Sequence, residues 1–96
     1  MRGGWVYIMA NRRNGTLYIG VTNDVARRAY EHRTGRTPGF TKKYGLTRLI
    51  FMEHYEDISD AIHREKMLKR WPRARKVRLI EQANPTWDDL YESLAA

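Results

Sequence analysis

Two runs rich in β-branched and aromatic residues, Trp5–Ala10 and Thr16–Thr22, flank an Asn14-Gly15 pair. Asn-Gly is the pair that the tightest hairpin turns favour, because both central residues then need a positive φ. With those two residues as the loop, Arg13 faces Thr16, Tyr7 faces Thr22 and Asn11 faces Tyr18. Side chains alternate along a strand. Trp5, Tyr7, Met9, Tyr18 and Gly20 therefore share one face, and Val6, Ile8, Leu17, Ile19 and Val21 the other. A longer loop that shifts the register by an even count keeps both faces; a bulge breaks them.

Thr22, Asn23 and Asp24 are all acceptable N-caps and Gly35 is a fitting stop, so a helix is expected from about Asp24 to Thr34. Its apolar stripe reads Val25, Ala26, Ala29 and Tyr30, which puts Arg28 and His32, one turn apart, along a border of the stripe. The segment RTPGFTKKYG is a loop or a short helix. Leu46–Tyr55 reads as a third, largely buried strand. A second helix runs from Asp57 or Ser59 to Trp71, and Pro72 opens a third as a first-turn proline that Asn84-Pro85 ends. Thr86 and Asp89 resemble an acidic capping box for a short C-terminal helix.

One domain over residues 1–96 is what this length accommodates, with one modest core. No stretch is apolar for long enough to cross a bilayer, so no membrane association is expected, and the N-terminal run is too short for a secretory signal. The absence of cysteine removes disulfides and thiolate metal sites. Cytoplasmic residence is the expectation. The formal net charge is +7, and the window Arg64–Arg78 alone holds eight basic residues and one acid, which equals the whole of that excess. Arg64, Lys66, Lys69, Arg70, Arg73, Arg75, Lys76 and Arg78 are candidate contacts to nucleic acid, since neutralised phosphates supply most sequence-independent affinity. Each taken singly is equally well a solvated helix position. The tryptophans and tyrosines suit base stacking, but core packing is the commoner use in a small domain.

On the second helix Ile58, Ala61, Ile62 and Leu68 define an apolar stripe, and Glu65 falls inside it. A buried carboxylate needs a cation, strong hydrogen bonds or a metal ion. An ion pair with an arginine and a metal or catalytic role are equally good readings at this point. A two-metal phosphoryl-transfer site needs clustered carboxylates, and none surround Glu65 in sequence. His32, His54 and His63 lack zinc spacing, and no phosphate-binding glycine loop is present. One hard cation on one carboxylate with waters is the habit of magnesium.

Trp5–Tyr7 (WVY) and Tyr18–Gly20 (YIG), followed by Arg28, His32, Glu65 and Asn84, resemble the GIY-YIG nuclease domain over nearly the whole chain, at the length of its small stand-alone bacterial members. The ordered set is the specific part, since Arg28 follows Tyr18 by ten residues and His32 lies one turn further, as in the family. The first motif departs, with WVY for GIY. Val21 departs too, standing where some repair-associated members carry lysine.

The resemblance implies an α+β fold, a three-stranded mostly antiparallel sheet flanked by helices, and an endonuclease that hydrolyses DNA phosphodiesters with a single Mg2+ or Mn2+. By that correspondence Glu65 is the metal ligand, Arg28 binds the scissile phosphate and Tyr7 is the general base for water. Tyr18 and His32 orient water, phosphate or Tyr7, and Asn84 supports the site. Gly20 on the tyrosine face is expected to leave space for a phosphate. A phenol of pKa about 10 is ionised to roughly one part in a thousand at pH 7, a deficit of about 4 kcal/mol. Nearby cations reduce that deficit, and a neutral His32 is an alternative acceptor for the proton. A non-catalytic nucleic-acid-binding module that uses the basic window is the competing reading, and a covalent tyrosine–DNA linkage is a third. Members of the family carry an attached recognition domain or are directed otherwise, so a protein partner, or a branched or single-stranded substrate form, is expected to do the targeting here.

Overall fold

Alternation produces the first two strands, β1 (Gly4–Ala10) and β2 (Leu17–Thr22), which pair antiparallel. The computed structural model describes residues 3–36 and 39–95. Tyr7 faces Gly20 and Met9 faces Tyr18. The register is two residues from the one that a two-residue loop gives, and the even shift preserves the faces. The connection is longer because Asn11 Oδ1 accepts the Thr16 N–H at 3.0 Å and the Arg12 carbonyl accepts the Gly15 N–H at 3.0 Å. Asn14 adopts φ 57 within that turn.

The third strand, β3 (Arg48–Tyr55), pairs antiparallel with β1, giving the order β2-β1-β3 and leaving β2 at an edge. A bulge in β3 opposite Ile8 and Met9 puts Ile50 and Phe51 on one face in succession, and both join the core there.

Helices cover both faces. On the tyrosine side lie α1 (Val25–Arg33) and the short helices α2 (Phe40–Lys43) and, at the C-terminus, α5 (Tyr91–Ala95); on the other lie α3 (Ile58–Arg70) and α4 (Arg73–Ala83). The Asp24 carboxylate caps α1 through the Arg27 N–H, and Gly35 at φ 71 closes its C-terminus. The Gly35 and Arg36 N–H groups there donate to the carbonyls of His32 and Glu31, the pattern of a Schellman cap. Thr37 and Pro38, in the segment read as a loop or short helix, lie outside the described residues.

Four local expectations change. The inward face of α1 is Val25, Ala29 and His32, while Ala26 and Tyr30 are exposed, so His32 lies within the core and not along its border. Pro72 is the N-cap of α4 and not its first residue; its ring forces Trp71 before it into extended backbone, which ends α3. Thr86 caps no helix among the described residues. Trp87 turns the chain at φ 58, and the N–H groups of Tyr91 and Leu49 both donate to Asp89 Oδ1. On α3, Ala61 and Leu68 are buried, but Ile62 is 38% exposed and lies outside the buried stripe.

Candidate active site

Three aromatic rings converge over the α1 face of the hairpin. The centroids of Tyr7 and Tyr18 are 6.2 Å apart, and those of Tyr7 and Tyr18 lie 5.7 and 5.6 Å from His32. Strand parity delivers the tyrosines, and the inward face of α1 delivers the imidazole. His32 is 3% exposed, with Nε2 at 3.1 Å from the Tyr7 hydroxyl and Nδ1 at 3.1 Å from Thr41 Oγ1. Burial, with the Arg28 charge beside it, lowers the His32 pKa from its usual value and favours the neutral ring. A neutral ring whose Nδ1–H donates to Thr41 leaves Nε2 to accept from Tyr7.

The Tyr7 phenol is 1% exposed, and burial together with the neighbouring Tyr18 hydroxyl pushes its pKa well above the ordinary value. Arg28 acts in the opposite direction on the same hydroxyl. Arg28 Nε is 3.2 Å from Glu31 Oε1 but out of line for a hydrogen bond. Arg27, one residue before it, is exposed, so the two arginines of α1 are not equivalent.

Gly20 does not leave room for a phosphate. A Cβ built there would lie 2.5 Å from Tyr7 Oη and 2.6 Å from Cζ, so the Tyr7 ring itself occupies the space.

Glu65 projects from α3, on the opposite side of the sheet from the rings. Its side chain is 13% exposed, and Oε2 pairs with Lys69 Nζ at 3.1 Å, a lysine one turn on where an arginine was one expected partner. The two sides meet because β2 is an edge strand. A groove of about 330 Å³ runs along that edge, lined by Tyr18 and Phe40 from one side, Leu17 and Ile19 from the other, and Lys69 and Lys76 from α3 and α4. Among the described residues no three of His, Asp and Glu cluster closely enough to hold an ion together, so Glu65 would offer a cation one carboxylate. That donor is a hard oxygen, and its fit to a divalent ion requires Lys69 to swing aside.

The basic window divides in space. Lys69 and Lys76 line the groove. Arg64 pairs with Glu53 at 3.0 Å, and Arg73 Nη2 donates to the carbonyls of Asn14 and Gly15 at 2.9 and 2.7 Å, securing the hairpin loop. Lys66, Arg70, Arg75 and Arg78 are exposed. Asn84 is 5% exposed and, among the described residues, its side chain bonds only to backbone: its Nδ2 donates to the carbonyls of Ile50 and Asp88, and its Oδ1 accepts the Asp88 N–H.

Thr41 escaped sequence reasoning, since one threonine in an aperiodic segment carries no sign that a four-residue helix buries it against His32.

The profile of the GIY-YIG catalytic domain matches residues 3–78. UPF0213 proteins of Staphylococcus aureus strains Mu3 and Mu50 are each 35% identical over 82 residues, covering 85% of this chain and 99% of the relative. The solution NMR structure of a UPF0213 protein from Bacillus halodurans superposes with a TM-score of 0.57 at 26% identity, covering 91% of this chain and 92% of that one. The chain belongs to the GIY-YIG catalytic domain family, a family of nucleases.

Proposed function

We propose that this chain is a metal-dependent endonuclease that hydrolyses DNA phosphodiesters at the β2 edge. One observation carries the reading: Tyr7, Tyr18, Arg28 and His32 converge on one side of an edge strand, and the Lys69 partner of Glu65 lines the same groove as Tyr18. A sheet edge is where residues from both faces of a sheet reach one substrate.

In this reading the oxygen of a water attacks phosphorus while its proton passes to the Tyr7 oxygen, and the P–O bond to the leaving sugar oxygen breaks, that oxygen taking a proton from solvent. Tyr7 accepts because its own proton is handed to Nε2 of neutral His32, 3.1 Å away. Arg28, which already favours the Tyr7 phenolate, offsets charge that grows on the phosphoryl oxygens. Tyr18 holds the water or phosphate beside Tyr7. Lys69 and Lys76 attract the strand into the groove. Glu65 would hold a single Mg2+ or Mn2+, which when bound supplies positive charge that favours the phenolate and polarises the phosphate.

Purified chain is expected to nick or cut members of a panel of duplex, single-stranded, flapped and junction DNA and RNA with magnesium or manganese. Glu65→Ala and Arg28→Ala should each abolish cutting while far-ultraviolet dichroism is unchanged. Cutting that survives both substitutions overturns the reading.

The Glu65–Lys69 ion pair at 3.1 Å favours a second reading, a module that binds nucleic acid without cutting, because the lysine occupies the carboxylate that a cation would need. That reading predicts salt-sensitive binding and no metal-dependent turnover on any member of the panel.

A further inference from the structure

Four exposed basic residues, Lys66 and Arg70 on α3 and Arg75 and Arg78 on α4, stand outside the β2-edge groove and surround Trp71 at the junction of the two helices. Two hollows flank the indole. One, of about 380 Å³, is lined by His63, Lys66, Met67, Arg70 and Trp71; the other, of about 160 Å³, by Trp71, Arg75, Arg78, Leu79 and Gln82. The Arg75 guanidinium lies 3.8 Å from the centre of the indole ring. Stacking of that kind holds a guanidinium flat and leaves its edge N–H donors pointing outward, a geometry suited to phosphate oxygens.

Three acids of these helices and the neighbouring strand are engaged elsewhere, and a fourth, Asp60, lies in the first turn of α3, six residues before Lys66. Glu65 pairs with Lys69 toward the groove, Glu81 Oε2 accepts the Trp87 Nε1–H at 2.7 Å, and Glu53 pairs with Arg64. Among the described residues none of Lys66, Arg70, Arg75 and Arg78 forms an ion pair. Like charges at (i, i+4) on α3 and (i, i+3) on α4 repel and cost stability in an isolated chain. A polyanion with regularly spaced charges removes that repulsion and releases its own counterions.

We infer that this Trp71-centred outer face of α3 and α4 is a second nucleic-acid contact, which holds the phosphate backbone of a segment of the substrate that lies beyond the catalytic groove. The inference rests on the reading above only in taking the ligand to be nucleic acid; it requires no cutting. A substrate that reaches both surfaces passes from the β2 edge over α3 and α4, so the outer face contributes to the affinity of long ligands and little to that of short ones.

The test is binding of labelled DNA duplexes of about 10 and about 40 base pairs to the full chain carrying Glu65→Ala, with and without Arg70→Ala and Arg78→Ala together. Both arginines are exposed, and a thermal unfolding midpoint at or above that of the parent chain checks that the fold survives. The pair of substitutions should weaken the long duplex about tenfold and the short one less than about twofold, and make log K against log salt shallower by about 2 for the long duplex. No loss on either duplex, or equal loss on both, overturns the inference. Labelled polyglutamate is the third ligand of the test, and a loss confined to it also overturns the inference, marking the face as a site for an acidic protein. If no nucleic acid is ever cut but the length-dependent loss is seen, the nuclease reading fails and the second contact stands.

Discussion

The Tyr7 hydroxyl lies 3.1 Å from Nε2 of His32, at the end of a chain of polar groups that runs inward to Thr41 Oγ1. In the proposed reaction Tyr7 passes its proton to His32 Nε2, and a Thr41 hydroxyl that accepts from Nδ1–H leaves Nε2 free to serve. Thr41→Val, which keeps the shape and removes the oxygen, should lower the cutting rate about tenfold with KM little changed, and Thr41→Ser should restore it. Single-turnover rates for the two variants check this. Equal loss in Val and Ser variants would mean that Thr41 acts through packing alone.

Acid should weaken the fold through His32. Burial lowers its pKa, so the unfolded chain binds a proton at a pH where the folded chain still refuses one. The stability that comes from the neutral ring is complete above the unfolded value of about 6.5 and is lost as pH falls through it toward the lower folded value. Urea unfolding of the wild type should therefore show a falling midpoint between about pH 7.5 and about pH 5. His32→Gln should show a smaller fall over the same range, and an identical slope in both proteins would remove His32 as the source.

How much of this could be read in advance depended on periodicity. Strand alternation has period two, so the common face of Tyr7 and Tyr18 survived a wrong loop length; only an odd shift would have separated them. Glu65 was legible because it interrupts an apolar stripe, though its partner Lys69 was one of many cations in reach. The inward face of α1 is legible only in part, since Val25 and Ala29 of its apolar stripe are buried whereas Ala26 and Tyr30 are exposed. Hydrophobicity pointed to Ala26 and Tyr30, yet the helix turns His32 into the core, where hydrogen bonds to Tyr7 and Thr41 satisfy both ring nitrogens. Gly20 and Thr41 depend on what another segment brings against them, and no local pattern encodes that.

Gly20→Ala tests whether the glycine serves Tyr7. The added methyl would meet Oη, Cζ and Cε1 of a ring that is 1% exposed, so it cannot be relieved by moving a free side chain. The cost should be about 1 to 3 kcal/mol, as for other overpacked cores. Displacement of the hydroxyl from His32 should also slow cutting by molecules that remain folded. Chemical denaturation and an active-fraction assay separate the two effects; wild-type stability together with a wild-type rate would refute the role.

Asn84 marks the boundary between support and chemistry. Among the described residues its side chain bonds to backbone alone, joining the C-terminus of α4 to the Ile50 carbonyl of β3 and to the backbone N–H and carbonyl of Asp88. Removing the amide leaves a buried carbonyl and a turn N–H without partners, a penalty of about 2 kcal/mol. Asn84→Ala should therefore lower the unfolding midpoint clearly, whereas cutting per folded molecule, measured well below that midpoint, should remain close to wild type. The reverse result, an unchanged midpoint with cutting abolished, would mean that the asparagine acts on substrate and that its bonds to Ile50 and Asp88 are expendable.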